Sequence, residues 1–172
     1  TPYEKAERLF LTGVIHYLLT AMTENIDYKN ALPYWEEGWE LAGSFPPAAR
    51  KNFTGNLYIM LSVSYRSLKD SKRLIEVSNQ YLQRLDDYFS REDVIRRRPY
   101  FYKNNLYVLC YQQLMLNHQL IGRQKAHEYY MRYCNYVRHG KGDALLRNKL
   151  FFYDLSQNYF SSLGEYPQAL AF

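Results

Sequence analysis

Two six-residue segments near opposite ends of the chain have almost the same sequence. Residues 27–32 are DYKNAL and residues 165–170 are EYPQAL, so each gives an acid, a tyrosine, two variable residues, an alanine and a leucine. Each follows a long segment with helical apolar spacing and a short turn. A unit repeated at intervals of tens of residues builds a stacked array, because one unit alone cannot bury its apolar face. The sequence therefore predicts a repeat protein that acts through a surface.

Apolar residues recur with helical spacing along most of the chain, and no segment alternates strictly as a strand of a hairpin would. Short connections join successive helices, and short connections force a helix pair to lie antiparallel. The predicted fold is all-α, an α-α superhelix of about four antiparallel helical hairpins forming a single domain. The hairpins are predicted at residues 3–42, 48–88, 100–138 and 143–172.

One position in the second helix of each hairpin sets the repeat register. It is occupied by Ala31, Leu74, Ala126 and Ala169, at intervals of 43, 52 and 43 residues. The nine extra residues fall in an irregular segment, which predicts an insertion over about residues 86–99. A small residue at this position lets the second helix lie close to the first, and Leu74 is expected to force a wider spacing.

Residues 164–170, GEYPQAL, resemble the turn and the second-helix start of the tetratricopeptide repeat family. Residues 27–32 are similar, and Leu61, Ser62 and Tyr65 resemble that family's first-helix signature with Ser in place of the usual Gly. The resemblance covers essentially the whole chain. The intervals exceed the family's usual length of about 34 residues, as in divergent tetratricopeptide-like domains of bacterial regulators. The resemblance implies a right-handed solenoid.

The resemblance also implies a non-enzymatic scaffold that binds a peptide or a partner protein, as one domain of a larger bacterial regulatory protein. It implies that the first helices of successive hairpins line a concave groove. By position, the residues predicted to contact the partner are Asn56, Arg66, Tyr111, His118, Arg147, Asp154 and Asn158. Asn can bind a peptide backbone, Arg can bind a carboxylate, and Tyr gives rigid contact area. For Tyr111 and His118 the alternative is burial in the core, because they lie on an uncharged helix.

A second hypothesis, nucleic-acid binding, depends on charge. Residues 1–86 contain 10 Lys+Arg and 10 Asp+Glu, whereas residues 87–172 contain 12 and 7 and carry the whole net charge of +5. Basic residues beside aromatic ones can bind phosphates and stack on bases. The alternative contacts are Arg96, Arg97, Arg98 and Lys103, which flank aromatic residues. The competing interpretation is that these arginines face water and nearby acids. Self-association is a third possibility.

The sequence contains no motif of a known catalytic centre. A Gly-rich phosphate loop, a Gly-x-Ser-x-Gly elbow and a His-Glu-x-x-His helix are all missing, so neither enzymatic activity nor a cofactor is predicted. Acids at Glu36, Glu37 and Glu40 are interpreted as the solvent-exposed face of a helix.

The two cysteines, Cys110 and Cys134, lie in apolar-periodic segments and are predicted to be free buried thiols, which favours a reducing, cytoplasmic compartment. Their spacing with His118 and His127 does not fit zinc, so no metal site is predicted. The longest segment without charged residues, 104–122, contains too many amides to span a membrane. No signal peptide and no membrane association are expected.

Overall fold

The computed structural model describes residues 1–23, 27–45, 53–90, 100–139 and 144–171, and at residues 44, 100–105 and 144–149 it describes the backbone alone. Every regular element in these ranges is helical, which confirms the all-α prediction. The helices are α1 Pro2–Ala21, α2 Leu32–Leu41, α3 Phe53–Ser67, α4 Ser71–Phe89, α5 Tyr100–Met115, α6 His118–Ile121, α7 Arg123–Arg138, α8 Ala144–Ser162 and α9 Tyr166–Ala169, with a 3₁₀ turn at Ala42–Ser44.

The chain divides into two compact units, Thr1–Arg84 and Leu85–Phe172. In the first unit α1 packs against α2, and α2 packs against α3. In the second unit α5 packs against α7 and α8, and α9 packs against α8. Successive helices pack as antiparallel pairs, as the short connections predict. The single domain and the continuous superhelix predicted from the sequence stay predictions.

The four positions that set the repeat register are all buried. Ala31, Leu74 and Ala126 are fully buried, and Ala169 is nearly so. The register read from the sequence therefore matches the burial pattern in both units. Leu74 is as buried as the alanines, so the first unit accommodates its larger side chain.

Two helix ends differ from the prediction because short polar side chains bond to the backbone nearby. Ala31 was predicted to lie in the second helix, but α2 begins at Leu32, and the Asp27 carboxylate accepts a bond from the Lys29 amide at 2.9 Å. In the hairpin predicted at residues 100–138, the first helix is broken after Met115, where the Asn117 side chain donates to the Gln113 carbonyl at 2.5 Å. Asn and Asp offer the backbone such alternatives to helix. Residues 48–52 and 91–99 lie outside the described ranges.

The turn between α3 and α4 is a Schellman motif. The Asp70 amide donates to the Tyr65 carbonyl at 2.8 Å, and the Lys69 amide donates to the Arg66 carbonyl at 3.1 Å. Lys69 has a φ of 59°, in the left-handed region. The Asp70 carboxylate then accepts a hydrogen bond from the Arg73 amide at 2.9 Å, so Asp70 caps α4.

The turn between α8 and α9 has the same bonds. The Glu165 amide donates to the Phe160 carbonyl at 2.9 Å, and the Gly164 amide donates to the Ser161 carbonyl at 3.0 Å. Gly164 has a φ of 75° and occupies the place of Lys69, 95 residues earlier. Two of the predicted hairpins thus share a turn conformation at the same place in the repeat register, five residues before Leu74 and Ala169. Glycine suits this position, whereas lysine is strained there.

We expect Lys69→Gly to raise the free energy of unfolding by about 0.5–1 kcal/mol, because relief of the left-handed strain exceeds the entropy that glycine adds to the unfolded chain. Urea denaturation followed by circular dichroism measures the change. Gly164→Lys is the matched reverse substitution and is expected to lower the free energy of unfolding. A Lys69→Gly protein no more stable than the parent would contradict the expectation.

The core of the first unit includes Trp35, which is fully buried on α2 and lies against Gly13 of α1. Its indole nitrogen donates to the Phe10 carbonyl oxygen at 3.3 Å. A Cβ atom on Gly13 would lie 2.4 Å from that nitrogen, so the indole occupies the space that a larger residue would fill. The absence of a side chain at Gly13 therefore sets how closely α1 and α2 approach.

Tyrosines form much of the core of the second unit. The rings of Tyr107 and Tyr136 stack with centroids 4.5 Å apart, and those of Tyr111 and Tyr133 are 5.3 Å apart. Tyr107, Tyr111 and Tyr133 are buried, and the Tyr133 hydroxyl has no hydrogen-bond partner among the described residues. Aromatic pairs of this kind stabilise a core beyond their area alone.

Candidate binding site

Two of the predicted partner contacts, Asn56 and Arg66, lie on α3. Asn56 is half-buried and Arg66 is exposed. Helical spacing places both away from the side of α3 that carries the buried residues Leu61 and Tyr65. Their role in binding a partner stays a prediction.

Tyr111 and His118 are buried in the second unit. Their exposed fractions are 6% and 9%. The His118 Nε2 atom lies 3.1 Å from the carbonyl oxygen of Ser162, and burial raises the pKa of Tyr111 to about 12. This placement agrees with the alternative that the two side chains pack inside the protein.

Asp154 and Asn158 are exposed one turn apart on α8. The structure brings this pair together but places them in a different unit from Asn56 and Arg66. Arg147 on α8 and Lys103 on α5 are described by backbone alone, and Arg96, Arg97 and Arg98 lie outside the described ranges. The roles predicted for all of these residues remain predictions.

A cleft of about 260 Å³ opens in the first unit between α2, α3 and α4. Each helix contributes residues that its periodicity places on one face, with spacings of three, four or seven. The lining residues are Glu36, Trp39 and Glu40 from α2, Leu61 and Tyr65 from α3, and Arg73, Glu76, Val77 and Gln80 from α4.

The floor of the cleft is apolar and well packed. Trp39, Leu61, Tyr65 and Val77 each expose 5% or less of their surface. The Trp39 indole nitrogen donates to the Gln80 side-chain oxygen at 2.8 Å, which fixes the ring between α2 and α4. A ligand entering the cleft would therefore meet a rigid aromatic and aliphatic surface.

The rim of the cleft carries three carboxylates and one guanidinium. The Tyr65 hydroxyl donates to Glu36 Oε1 at 2.8 Å, and burial together with this bond raises the pKa of Tyr65, so the phenol stays a donor. Arg73 lies 3.3 Å from Glu76 in a largely exposed ion pair, which raises the pKa of Arg73. Within the described part of the chain, Glu40 forms no ion pair shorter than 4.0 Å.

Arg84 follows the cleft along α4, one turn beyond Gln80. The central carbon of its guanidinium lies 3.9 Å from the Trp39 ring centroid, and its nitrogens lie 3.4 and 3.5 Å from the Trp39 carbonyl oxygen. Burial lowers the pKa of Arg84, and the charge of Glu40 opposes that effect. The Trp39 indole therefore already binds one guanidinium of the same chain.

Sequence reasoning missed this cleft, although it identified some of its parts. Glu36 and Glu40 were interpreted as part of the solvent-exposed face of a helix, and both are accessible to solvent. The pattern of one helix does not show that three helices meet at the cleft, where Tyr65 and Glu76 contribute from α3 and α4. The spacing of Arg73, Glu76, Val77 and Gln80 along one face of α4 was the available hint.

The second unit has a larger groove, of about 500 Å³, between α7 and α8. Its lining is mainly apolar and aromatic, and Met131 and Tyr153 are exposed at its edge. Among the described residues that line it, Arg138 is the one with a charge. The groove therefore offers contact area but few polar groups that would select a ligand.

Cys110 and Cys134 do not form a disulfide, and Cys110 is buried as predicted, whereas Cys134 is half-buried. Among the residues that the structure describes, no three His, Cys, Asp or Glu side chains are placed to share a metal ion. None of the described helices combines the length and apolar character needed to cross a bilayer. No protein-family model, curated protein or solved structure matches the chain, so the case for its function depends on the residues and the geometry of the cleft.

Proposed function

We propose that this chain is a tetratricopeptide-like scaffold that binds a segment of a partner protein in the cleft between α2, α3 and α4. The observation that supports this proposal best is the cleft, in which buried Trp39 and Tyr65 form a floor beneath solvent-accessible carboxylates. The matching turns at Lys69 and Gly164 support the repeat architecture.

The size and lining of the cleft fit a protein side chain. Pockets for drug-sized ligands span roughly 300–1,000 Å³, and the cleft has about 260 Å³. One or two side chains of an extended segment would fill it. An apolar floor supplies contact energy, and the polar rim supplies orientation.

The experiment is a selection of random displayed peptides on the intact chain, followed by affinity measurements on variants. Glu40→Trp places a large ring in the cleft from an exposed position. We expect it to weaken the binding of a selected peptide at least tenfold, because the ring occupies the volume that the ligand needs. Isothermal titration calorimetry measures the affinity.

Glu37→Trp is the matched control, since Glu37 is exposed on the same helix but does not line the cleft. It should leave the affinity unchanged. The double variant Asn56→Ala and Arg66→Ala tests the groove implied by the family resemblance. A selection that enriches no peptide would refute the proposal, and loss of binding in the double variant alone would refute the cleft as the site.

A further inference from the structure

We infer that the cleft receives an arginine side chain of the partner segment, because three carboxylates surround a buried aromatic floor there. The inference depends on the proposed function and specifies its ligand. It is built from the charges of the rim, the chemistry of the floor and the contact that Arg84 already makes.

The rim has an excess of negative charge. Among the described lining residues, Glu36, Glu40 and Glu76 are accompanied by one cation, Arg73, whose charge is offset by Glu76 at 3.3 Å. Glu36 directs one oxygen to Tyr65, and Glu40 has no ion-pair partner within the described ranges. A cation entering the cleft would therefore find two carboxylates, Glu36 and Glu40, that form no ion pair shorter than 4.0 Å with a described cation. Arg73 acts on Glu36, and Arg84 on Glu40, only at longer range. Complementary charge both steers and selects a ligand.

The floor suits a guanidinium more than a compact ammonium. A guanidinium is planar, stacks on aromatic rings and binds carboxylates through two parallel bonds. Trp39 contributes to the floor, and the Arg84 guanidinium lies 3.9 Å from the Trp39 ring centroid. The contact with Arg84 therefore shows that the Trp39 indole can pack against a guanidinium in a partly buried setting.

The apolar residues fit the stem of the same side chain. Leu61 and Val77 are buried and line the same cleft as the carboxylates contributed by α2 and α4. Arginine carries methylenes below its charged head, and such stems pack on apolar surface while the head remains hydrated. A purely apolar ligand would bury the carboxylates without pairing them, and an acidic ligand would add a like charge.

The probe is a short capped oligo-arginine peptide, and the comparison is the same peptide with citrulline, which keeps the shape of arginine but has no charge. Two-dimensional NMR of the labelled protein follows the two indole N–H signals. Trp39 lines the cleft, whereas Trp35 is fully buried outside it. We expect the arginine peptide to shift the Trp39 signal in a saturable way, the citrulline peptide to shift neither signal, and an oligo-lysine peptide to bind more weakly.

Two substitutions with the same change in net charge separate the cleft from general electrostatics. Glu40→Gln is expected to weaken the binding of the arginine peptide about tenfold, because it removes a charged hydrogen-bond acceptor. Glu37→Gln should leave the binding unchanged, since Glu37 lies on the same helix outside the cleft and pairs with Lys5 at 2.8 Å. Equal weakening by both substitutions would overturn the inference.

The outcomes distinguish the inference from the proposed function. If selected peptides bind in the cleft but their arginines can be replaced by citrulline without loss, the inference fails and the scaffold proposal stands. If no peptide is selected and no probe shifts the Trp39 signal, both fail. Arginine-dependent binding that Glu40→Gln weakens and Glu37→Gln spares would support both.

Discussion

Replacing Trp35 with alanine is expected to lower the free energy of unfolding by about 3–5 kcal/mol. The indole is fully buried, so its removal leaves a cavity between α1 and α2. It also leaves the Phe10 carbonyl without the bond that the indole nitrogen donates at 3.3 Å. Urea denaturation followed by the helical circular dichroism signal measures the loss.

The complementary substitution adds atoms at the same contact. A Cβ atom at Gly13 would lie 2.4 Å from the Trp35 nitrogen, so Gly13→Ala is expected to destabilise the protein by about 1–3 kcal/mol despite the better helix propensity of alanine. Gly38→Ala is the matched control, since its nearest neighbour would be a Leu57 methyl at 3.4 Å. Two glycine variants of equal stability would show that Gly13 does not limit the approach of α1 and α2.

Raising the pH above 10 is expected to unfold the protein. The buried tyrosines of the second unit are expected to contribute most to the loss of stability. Burial raises the pKa of Tyr111 and Tyr130 from 10.0 to about 12, and it raises those of Tyr107, Tyr133 and Tyr136 as well. In the unfolded chain these phenols ionise near their ordinary pKa, whereas in the folded chain they stay protonated. Their contribution to stability is therefore complete below pH 10 and is lost as the pH rises through about 12.

The measurement pairs the helical circular dichroism signal with the ultraviolet absorbance of tyrosinate. The buried phenols ionise only as the core opens, so their share of the tyrosinate absorbance is expected to rise in a step that coincides with the loss of the helical signal. Tyr133→Phe removes a buried hydroxyl that has no partner in the described structure, so we expect it to shift the alkaline midpoint upward without loss of stability at neutral pH. Loss of the helical signal without a coincident step in tyrosinate absorbance, or full ionisation of all tyrosines while the helical signal is retained, would contradict the expectation.

The helices and their register were accessible from the sequence because apolar spacing along one segment encodes which face is buried. Ala31, Leu74, Ala126 and Ala169 are all buried for that reason. Ala31 nevertheless precedes α2, whereas the other three are the fourth residues of their helices. Helix ends were less accessible. A single hydrogen bond decides them, such as the bond from the Asn117 side chain to a carbonyl one turn earlier.

The candidate site was much less accessible than the fold. An exposed glutamate such as Glu40 has the same local pattern whether it faces open water or the rim of a cleft. What distinguishes it is the proximity of Tyr65 and Glu76 on two other helices, and proximity of that kind arises only from tertiary packing. For Tyr111 the family resemblance implied a groove contact and the uncharged helix favoured burial, and the packing of α5 against α7 buries it.

The positions of the two tryptophans allow one of the two units to be followed separately by fluorescence. Trp35 and Trp39, the only tryptophans in the chain, both belong to the unit Thr1–Arg84. Fluorescence excited selectively in tryptophan therefore reports on the first half of the protein alone. Comparing its denaturation curve with the whole-chain helical signal reveals, without any label, whether the two halves unfold as one cooperative body or in succession.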